Sequence, residues 1–460
     1  MNTDKSGLFV TDEGMNLTVT FVLVCSLFFL WAVCNGMIDV MDKHFQEELH
    51  LSKSQSAWVQ FAHYLGYFLM SLPAGFLATK LGYKRGIIAG LALVAVGGFW
   101  FLPATHISAQ VQVGSVSPAT AFVAFLCGVC VIATGLTFLE TIANPYTTVL
   151  GAKRFAATRI NLAQSCNGLG WILGPPIGGL FFYSKDAMGR STGNETLYIP
   201  YVAVAICALT IAFVFSFASV PDIQTKDEYH LDDSGAKVSH SIWSHPHFVL
   251  AVAAQFFYVA AQAGIFSFFI NYMTTETPPI PSSWAAGTLG SWFETGKAGA
   301  LALSDRGAAN LQSLALACFF VGRLTGSGLV KKFAAHKVVG AYGAVNVLMT
   351  LLVFCKLGWL SVACVFLSYF FMSIMFPTIF ALGIFGLGAR AKKASAFIVM
   401  AIMGGALLPK VMGYVADQFD MSRGFIVPAV CFAFVAFYGW NWSRFSGAAS
   451  MQGVRASVGH

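Results

Sequence analysis

Apolar runs of bilayer-crossing length recur along the chain at 17–41, 57–79, 86–104, 119–150, 160–183 and 199–220. A second set follows at 247–274, 308–330, 338–355, 360–389, 394–416 and 425–443. Runs of this length, with few charges, are the mark of helices that span a membrane. Between the sixth and seventh runs the chain turns polar, from Pro221 to His247, with DEYHLDD and SGAK inside it. The pattern predicts an all-α polytopic membrane protein of twelve transmembrane helices in two six-helix bundles. The N-terminal bundle takes 1–220, a cytoplasmic linker 221–246 and the C-terminal bundle 247–460.

The two halves echo each other. GFLATKLGYK after the second span (Gly75 to Lys84) recurs as GLVKKFAAHK after the eighth (Gly328 to Lys337). NPYTTVLG in the fourth span (Pro145 to Gly151) recurs as FPTIFALG in the tenth (Pro377 to Gly383). Both pairs keep their spacing and occupy equivalent places in a six-span unit. Parallel halves related by an axis along the membrane normal are a transporter plan, with the substrate held near mid-depth.

Composition sharpens the class. The 460 residues are 57% apolar and only 10% charged, with 43 Phe and a mean hydropathy of +0.70. Soluble chains are about a quarter charged, so a soluble enzyme, a nucleic-acid binder and a disordered scaffold are excluded. The net charge of +7 records topology rather than an anionic partner. With the N-terminus inside, the cytoplasmic segments hold 17 Lys and Arg and the outer loops 8, which predicts both termini in the cytoplasm. All ten Cys fall in apolar runs, as small hydrophobes rather than a disulfide framework. Cys127 and Cys130 form a CxxC without a second ligand pair at zinc spacing, so no metal and no cofactor are expected. Asp4, Lys5, Asp12 and Glu13 precede the first apolar run, so the first span is expected to be retained rather than cleaved as a signal.

The twenty carboxylates carry the chemistry. Eighteen fall in tails, loops or span ends; Asp39 and Glu140 lie inside the first and fourth spans. A charge at mid-bilayer costs about 2.5–3.5 kcal/mol even on mild insertion scales, so such acids face a cavity or a partner. Desolvation disfavours a charged carboxylate and so permits protonation near neutral pH. One proton falling through about 150 mV releases about 3.5 kcal/mol, enough for a solute gradient of a few hundred-fold. Both acids lie in the N-terminal half, which makes that half the proton-handling one.

Polar faces accompany the acids. Asn35 and Asp39 are i, i+4, as are Glu140 and Asn144. Asn161, Gln164 and Asn167 recur every three residues in the fifth span; Gln255, Tyr258 and Gln262 follow i, i+3, i+7 in the seventh. Amides and hydroxyls at this density suit a neutral polyol, whose hydroxyls both donate and accept. They also suit hydrogen bonds between packed helices. Trp171, Phe376 and Phe380 offer faces for stacking or packing, and His63 with Tyr64 and Tyr67 reads equally as core. Lys410 in the eleventh span either snorkels, pairs with an acid or meets an anionic substrate, while Arg323 reads as a gate or loop contact.

Several stretches resemble the fucose/galactose/glucose:proton symporters of the major facilitator superfamily. They are FFLWAVCNGMIDV (28–40), FAHYLGYFLMSLPAGFLATKLGYKRGI (61–87), TFLETIANPYTTVLG (137–151) and RINLAQSCNGLG (159–170). FFVGRLTG (319–326), FMSIMFPTIFALGI (371–384) and SAFIVMAIMGGALLP (395–409) extend the resemblance across nearly the whole chain. It implies the major facilitator fold, alternating access and proton-driven uptake of a neutral monosaccharide across a bacterial inner membrane by a monomer. On it, the family's membrane acids fall on Asp39 and Glu140, its sugar-contacting amides on Gln164 and Asn167, and a seventh-span glutamine on Gln262. Departures bear on which sugar is carried. Thr79 stands where the superfamily loop usually has Asp, Gly36 follows Asn35 where fucose carriers pair two amides, and Phe376 replaces Tyr. Lys410 replaces an apolar residue, and the outer segment from Thr275 to Gly307 is long. Two other readings share the fold: a symporter for an acidic sugar using Lys410, and an exporter of drugs or sugars. A sugar-binding receptor without transport is a third.

Overall fold

In the computed structural model the described residues are 8–10, 14–151, 156–218, 241–281, 292–295, 301–387 and 391–446. Most of the inner linker expected at 221–246 lies outside them. The chain runs α1 (Thr18–Glu48), a single-turn α2 (Lys53–Ser56), α3 (Trp58–Gln112), α4 (Pro118–Val149), α5 (Ala156–Phe182), a short α6 (Gly193–Thr196) and α7 (Tyr198–Phe217). It continues with α8 (Pro246–Ser267), α9 (Phe269–Thr275), the strands β1 (Phe293–Thr295) and β2 (Leu301–Leu303), α10 (Asp305–Lys332) and α11 (Ala335–Phe354). Last come α12 (Trp359–Met372), α13 (Met375–Ile384), α14 (Ala391–Met400), α15 (Gly404–Gln418), α16 (Met421–Gly424) and α17 (Ile426–Ser446).

Ten stretches among the described residues are long and apolar enough to cross a membrane. The first arm of α3 and helix α5 bring the count to the twelve expected. The two arms of α3 meet at Gly82, whose φ of +74° and ψ of 173° only a residue without Cβ adopts easily. Polar caps close the helix starts: Ser117 accepts from Thr120 N before Pro118, and Ser304 accepts from Gly307 N.

The described residues fall into two compact units, one within 1–49 and 62–224, the other within 50–61 and 225–455. In the first, α1 packs along α5 through small residues. A Cβ on Gly174 would lie 2.6 Å from the Cα of Gly36, so the two backbones touch, as small-residue contacts permit in membranes. Aromatic rings fill the rest of this core, with Phe101 stacked on Tyr201 at 3.9 Å and Phe45 against Phe125 at 5.1 Å.

In the second unit α8 packs against α13, α15 and α17, while α11 lies along α17 and α12. Two spans expected as continuous runs are broken here. The tenth, expected at 360–389, splits into α12 and α13 around Ser373 and Ile374. Pro377 has no N–H, so the Ser373 carbonyl four residues back has no helical donor. The eleventh, expected at 394–416, passes through a 3-10 turn at Ala401–Met403 between α14 and α15. Hydropathy cannot register either break, because both halves of each span stay apolar. The long outer segment from Thr275 to Gly307 contains the antiparallel pair β1 and β2.

Candidate functional site

In the first unit, hydrogen bonds gather most of the candidate residues around Glu140. The Asn144 side-chain amide donates to the Glu140 backbone carbonyl at 2.9 Å, and Gln164 Nε2 donates to Asn144 Oδ1 at 3.2 Å. From the other side, Tyr67 of α3 lies beside the Glu140 and Asn35 side chains. Helices α1, α3, α4 and α5 thus bring polar side chains near Glu140, with Gln164 bonded to Asn144 and Asn144 to the Glu140 backbone carbonyl. Asn35 Oδ1 is buried and has no hydrogen-bond partner among the described residues, an acceptor facing an unmet demand.

Asp39 lies one turn further along α1 and is 5% exposed. Asn167 is also buried, but its amide donates to the Phe28 carbonyl of α1 at 3.2 Å. In the structure that side chain ties α5 to α1. His63 packs its ring 5.0 Å from that of Tyr67 and 5.1 Å from that of Tyr64.

The second unit uses its polar groups differently. Tyr258, fully buried, donates its hydroxyl to the Met372 carbonyl at 3.0 Å. Arg323 Nε approaches the Ser373 carbonyl at 3.5 Å, and its guanidinium lies 5.1 Å from the Phe319 ring. Both bonds serve carbonyls at the break between α12 and α13, where irregular backbone must find donors within the protein. Phe376 stands edge-on to Tyr258 at 6.4 Å and, like Gln262, is half-buried. Gln255 is fully buried, and neither of its amide atoms has a hydrogen-bond partner among the described residues.

Lys410 has a partner of its own. Its Nζ sits 3.5 Å from the centroid of the Trp58 ring, a cation–π contact. The same docking places Asp417 at the start of α2, accepting from the backbone N–H of Lys53 at 3.0 Å and of Ser54 at 2.9 Å. Outside the spans, Lys356 bridges Glu276 at 3.3 Å and Asp420 at 2.9 Å. Partial burial works against the Asp420 charge, but the Lys356 ammonium and the Arg423 backbone N–H hold its carboxyl below the ordinary aspartate range. The hydrogen bond from Lys356 to Asp420 in turn raises the lysine above its ordinary value.

The Major Facilitator Superfamily model matches residues 19–290. The L-fucose-proton symporter of Escherichia coli (strain K12) is 34% identical over 443 residues, covering 92% of this chain and 93% of that protein. The chain belongs to the major facilitator superfamily. Within it, the chain joins the sugar:proton symporter branch that the sequence blocks resembled. A glucose/galactose transporter of Brucella abortus (strain 2308) is 32% identical over 436 residues, 94% of this chain and 96% of that protein. A crystal structure of the E. coli fucose:proton symporter superposes with a TM-score of 0.62 at 33% identity, over 93% of this chain and 99% of that one. A D-xylose-proton symporter, at 13% identity and a TM-score of 0.66, shares the fold.

Two residues of this facilitator went unselected by the reading of its sequence. Tyr67 reads as core because its neighbours are apolar or aromatic, and no spacing rule links α3 to Glu140. Asp42 was assigned to a span end, yet α1 runs on to Glu48 and buries Asp42 completely. The signal was present: Met37, Met41, Phe45 and Leu49 repeat every four residues past the expected end of the helix.

Proposed function

We propose that this facilitator imports a neutral monosaccharide together with protons by alternating access, across a bacterial inner membrane, with both termini in the cytoplasm. The observation that carries the reading is the polar cluster of Asn35, Tyr67, Asn144 and Gln164 around Glu140 within a membrane span, in which Gln164 bonds Asn144 and Asn144 bonds the Glu140 backbone carbonyl. Donors and acceptors arranged around one acid suit a solute made of hydroxyls, each able to donate and accept. Asn35 Oδ1, without a hydrogen-bond partner among the described residues, is the natural acceptor for one such hydroxyl. In this reading Glu140 senses the sugar and couples its presence to protonation, while the buried Asp39 on the neighbouring helix is the main proton carrier.

Gln164 and Asn144 orient the sugar, and Asn167 supports it by holding α5 against α1. In the second unit the Tyr258 hydroxyl is committed to the backbone. The names of the relatives, L-fucose-proton symporter and glucose/galactose transporter, support a monosaccharide and a proton as the transported pair. The lysine excess in alternate loops supports the orientation.

The test is uptake of labelled L-fucose, D-galactose and D-glucose by proteoliposomes with an imposed pH gradient. Wild-type protein should accumulate at least one of them, and dissipating the gradient should end the accumulation. Glu140→Gln should allow at most equilibration. Full uphill uptake by that variant would end the assignment of coupling to Glu140.

A further inference from the structure

His44 is 1% exposed, lies in the last turns of α1 and takes no part in the cluster around Glu140. Its Nδ1 is 2.9 Å from the Phe182 carbonyl at the end of α5. A carbonyl only accepts, so Nδ1 carries the ring hydrogen and the lone pair of the neutral ring sits on Nε2. That nitrogen is buried and has no hydrogen-bond partner among the described residues. One turn further along the same face of α1 stands Glu48, whose carboxylate accepts from Ser191 Oγ and, at 3.0 Å, from Asn194 Nδ2. Only the nitrogen of an amide side chain donates, so this bond fixes which way round Asn194 lies. Its other end, Oδ1, is buried and has no partner among the described residues. Gly193 brings the backbone of this segment onto the ring. A Cβ there would lie 2.8 Å from His44 Cε1, the ring carbon bonded to Nε2, and would collide with the Phe182 oxygen. Two neighbouring acceptors with no donor between them are a place for a proton.

We propose that His44 Nε2 and Asn194 Oδ1 form a proton-binding site at the end of α1, separate from Asp39 and Glu140. A proton from the medium adds to the Nε2 lone pair, no other bond breaks, and the new N–H donates to Asn194 Oδ1. The imidazolium is then held at both nitrogens, by Phe182 and by Asn194, with the Glu48 carboxylate one turn away, as a buried charge requires. Occupied, the site fastens the segment 184–197 to α1 beyond the bonds that Glu48 already makes. The other charged groups of α1 nearby are the Lys43–Glu47 pair at 2.7 Å and Asp42, which lies on the opposite face of the helix. At the end of α5 stands Tyr183, whose hydroxyl donates to the Val40 carbonyl at 2.8 Å. The segment that follows carries Lys185, the Asp186–Arg190 pair at 3.0 Å and the exposed Glu195. Helix α7 places Tyr201 behind Phe182, and α4 presents Phe122 and Phe125 to the neighbouring Phe45. The site stands without the roles given to Asp39 and Glu140; only its facing the acid side of the driving gradient rests on the orientation proposed above.

Solid-state NMR of the full-length protein in lipid vesicles tests it, with nitrogen-15 in the histidines and carbon-13 in the asparagines. The His44 signals are those absent from His44→Gln. In alkaline samples His44 Nε2 should carry no hydrogen. In acid samples it should be protonated and show a cross-peak to an asparagine side-chain carbonyl carbon. A ring that stays neutral until the protein unfolds, or a protonated Nε2 without that cross-peak, would overturn the site. Asn194→Leu removes the acceptor and should lower the His44 midpoint by about one to two pH units, the scale of a hydrogen bond to a charged group. Ser191→Ala also takes a donor from Glu48 but spares Asn194 Oδ1, and it should leave the midpoint in place. Equal shifts in the two variants would assign control of the ring to Glu48 and would sink the pairing with Asn194. If Asn194→Leu fails to fold, the cross-peak in the unsubstituted protein still decides. Amide protection factors from Gly193 to Leu197 should rise as pH falls through the same midpoint; no rise would remove the fastening of the segment. None of these readouts depends on the solute carried, so failure of sugar uptake and failure of this site are separate results.

Discussion

The two units share one architectural plan but differ in what surrounds their buried polar residues. Around Glu140 in the first unit, Gln164 bonds the Asn144 side chain and Tyr67 lies beside the ionisable side chain itself. In the second, Tyr258 and Arg323 turn to main-chain carbonyls exposed where a span is broken ahead of Pro377. A polar residue in a transmembrane helix thus signals either a binding constellation or a repair of irregular backbone. Its partner decides which. The first kind is the proposed link between sugar and proton; the second holds a bent element in one shape.

The sharpest way to break this comparison is to neutralise the acids. Glu140→Gln or Asp39→Asn should reduce an accumulation ratio of up to a few hundred-fold, the limit set by about 150 mV on one proton, to about one. No neutral substitution in the second unit should uncouple uptake in this way, which proteoliposome uptake at fixed pH gradient checks directly. Next in size is Tyr258→Phe. It leaves the buried Met372 carbonyl without its hydroxyl donor and should cost about 1–3 kcal/mol of stability, read as a lower midpoint in thermal unfolding of the purified protein. Coupling should survive it: the protein should still concentrate sugar, only with a smaller folded fraction.

Lys410→Met removes the cation from the Trp58 face and should destabilise the docked α2 by about 0.5–2 kcal/mol, with Lys410→Arg retaining most of the contact. The sugar preference should be unchanged in both variants; an altered preference would return Lys410 to the substrate site. The smallest effect concerns the outer loops. Asp420 is held below its ordinary value of 3.8, so its contribution to stability is present above that value and is lost as pH falls through the lower folded value. Lys356 is held above 10.5, so its contribution is present below that value and is lost as pH rises through the higher folded one. Amide protection factors (exchange relative to the intrinsic rate at each pH) in the loops carrying Glu276 and Met421 should therefore be highest between these limits, and Lys356→Gln should flatten both edges.

Much of this site was legible in the chain itself. Asp39 and Glu140 announce themselves because a carboxylate in an apolar run is costly and rare, and Asn35 and Asn144 follow because helical spacing places them on the same faces. Tyr67 was illegible for the complementary reason. A tyrosine in a membrane helix carries no comparable penalty, and its hydroxyl acquires meaning only from the two helices it meets. Asn167 and Tyr258 illustrate the same limit: type and spacing mark them as polar and inward, but not whether their hydrogen bonds go to Phe28 and Met372 or to a solute.

Hydropathy determined the twelve spans and singled out the two acids proposed to carry the chemistry, because the bilayer penalises every misplaced polar group residue by residue. Tertiary structure alone decided that α1 continues past the expected end to bury Asp42, that the tenth span breaks at Ser373, that Lys410 rests on Trp58, and that Tyr67 lies beside Asn35 and Glu140. These outcomes depend on which groups from distant parts of the chain come within hydrogen-bonding or ring-contact distance. No periodicity along one helix carries that information.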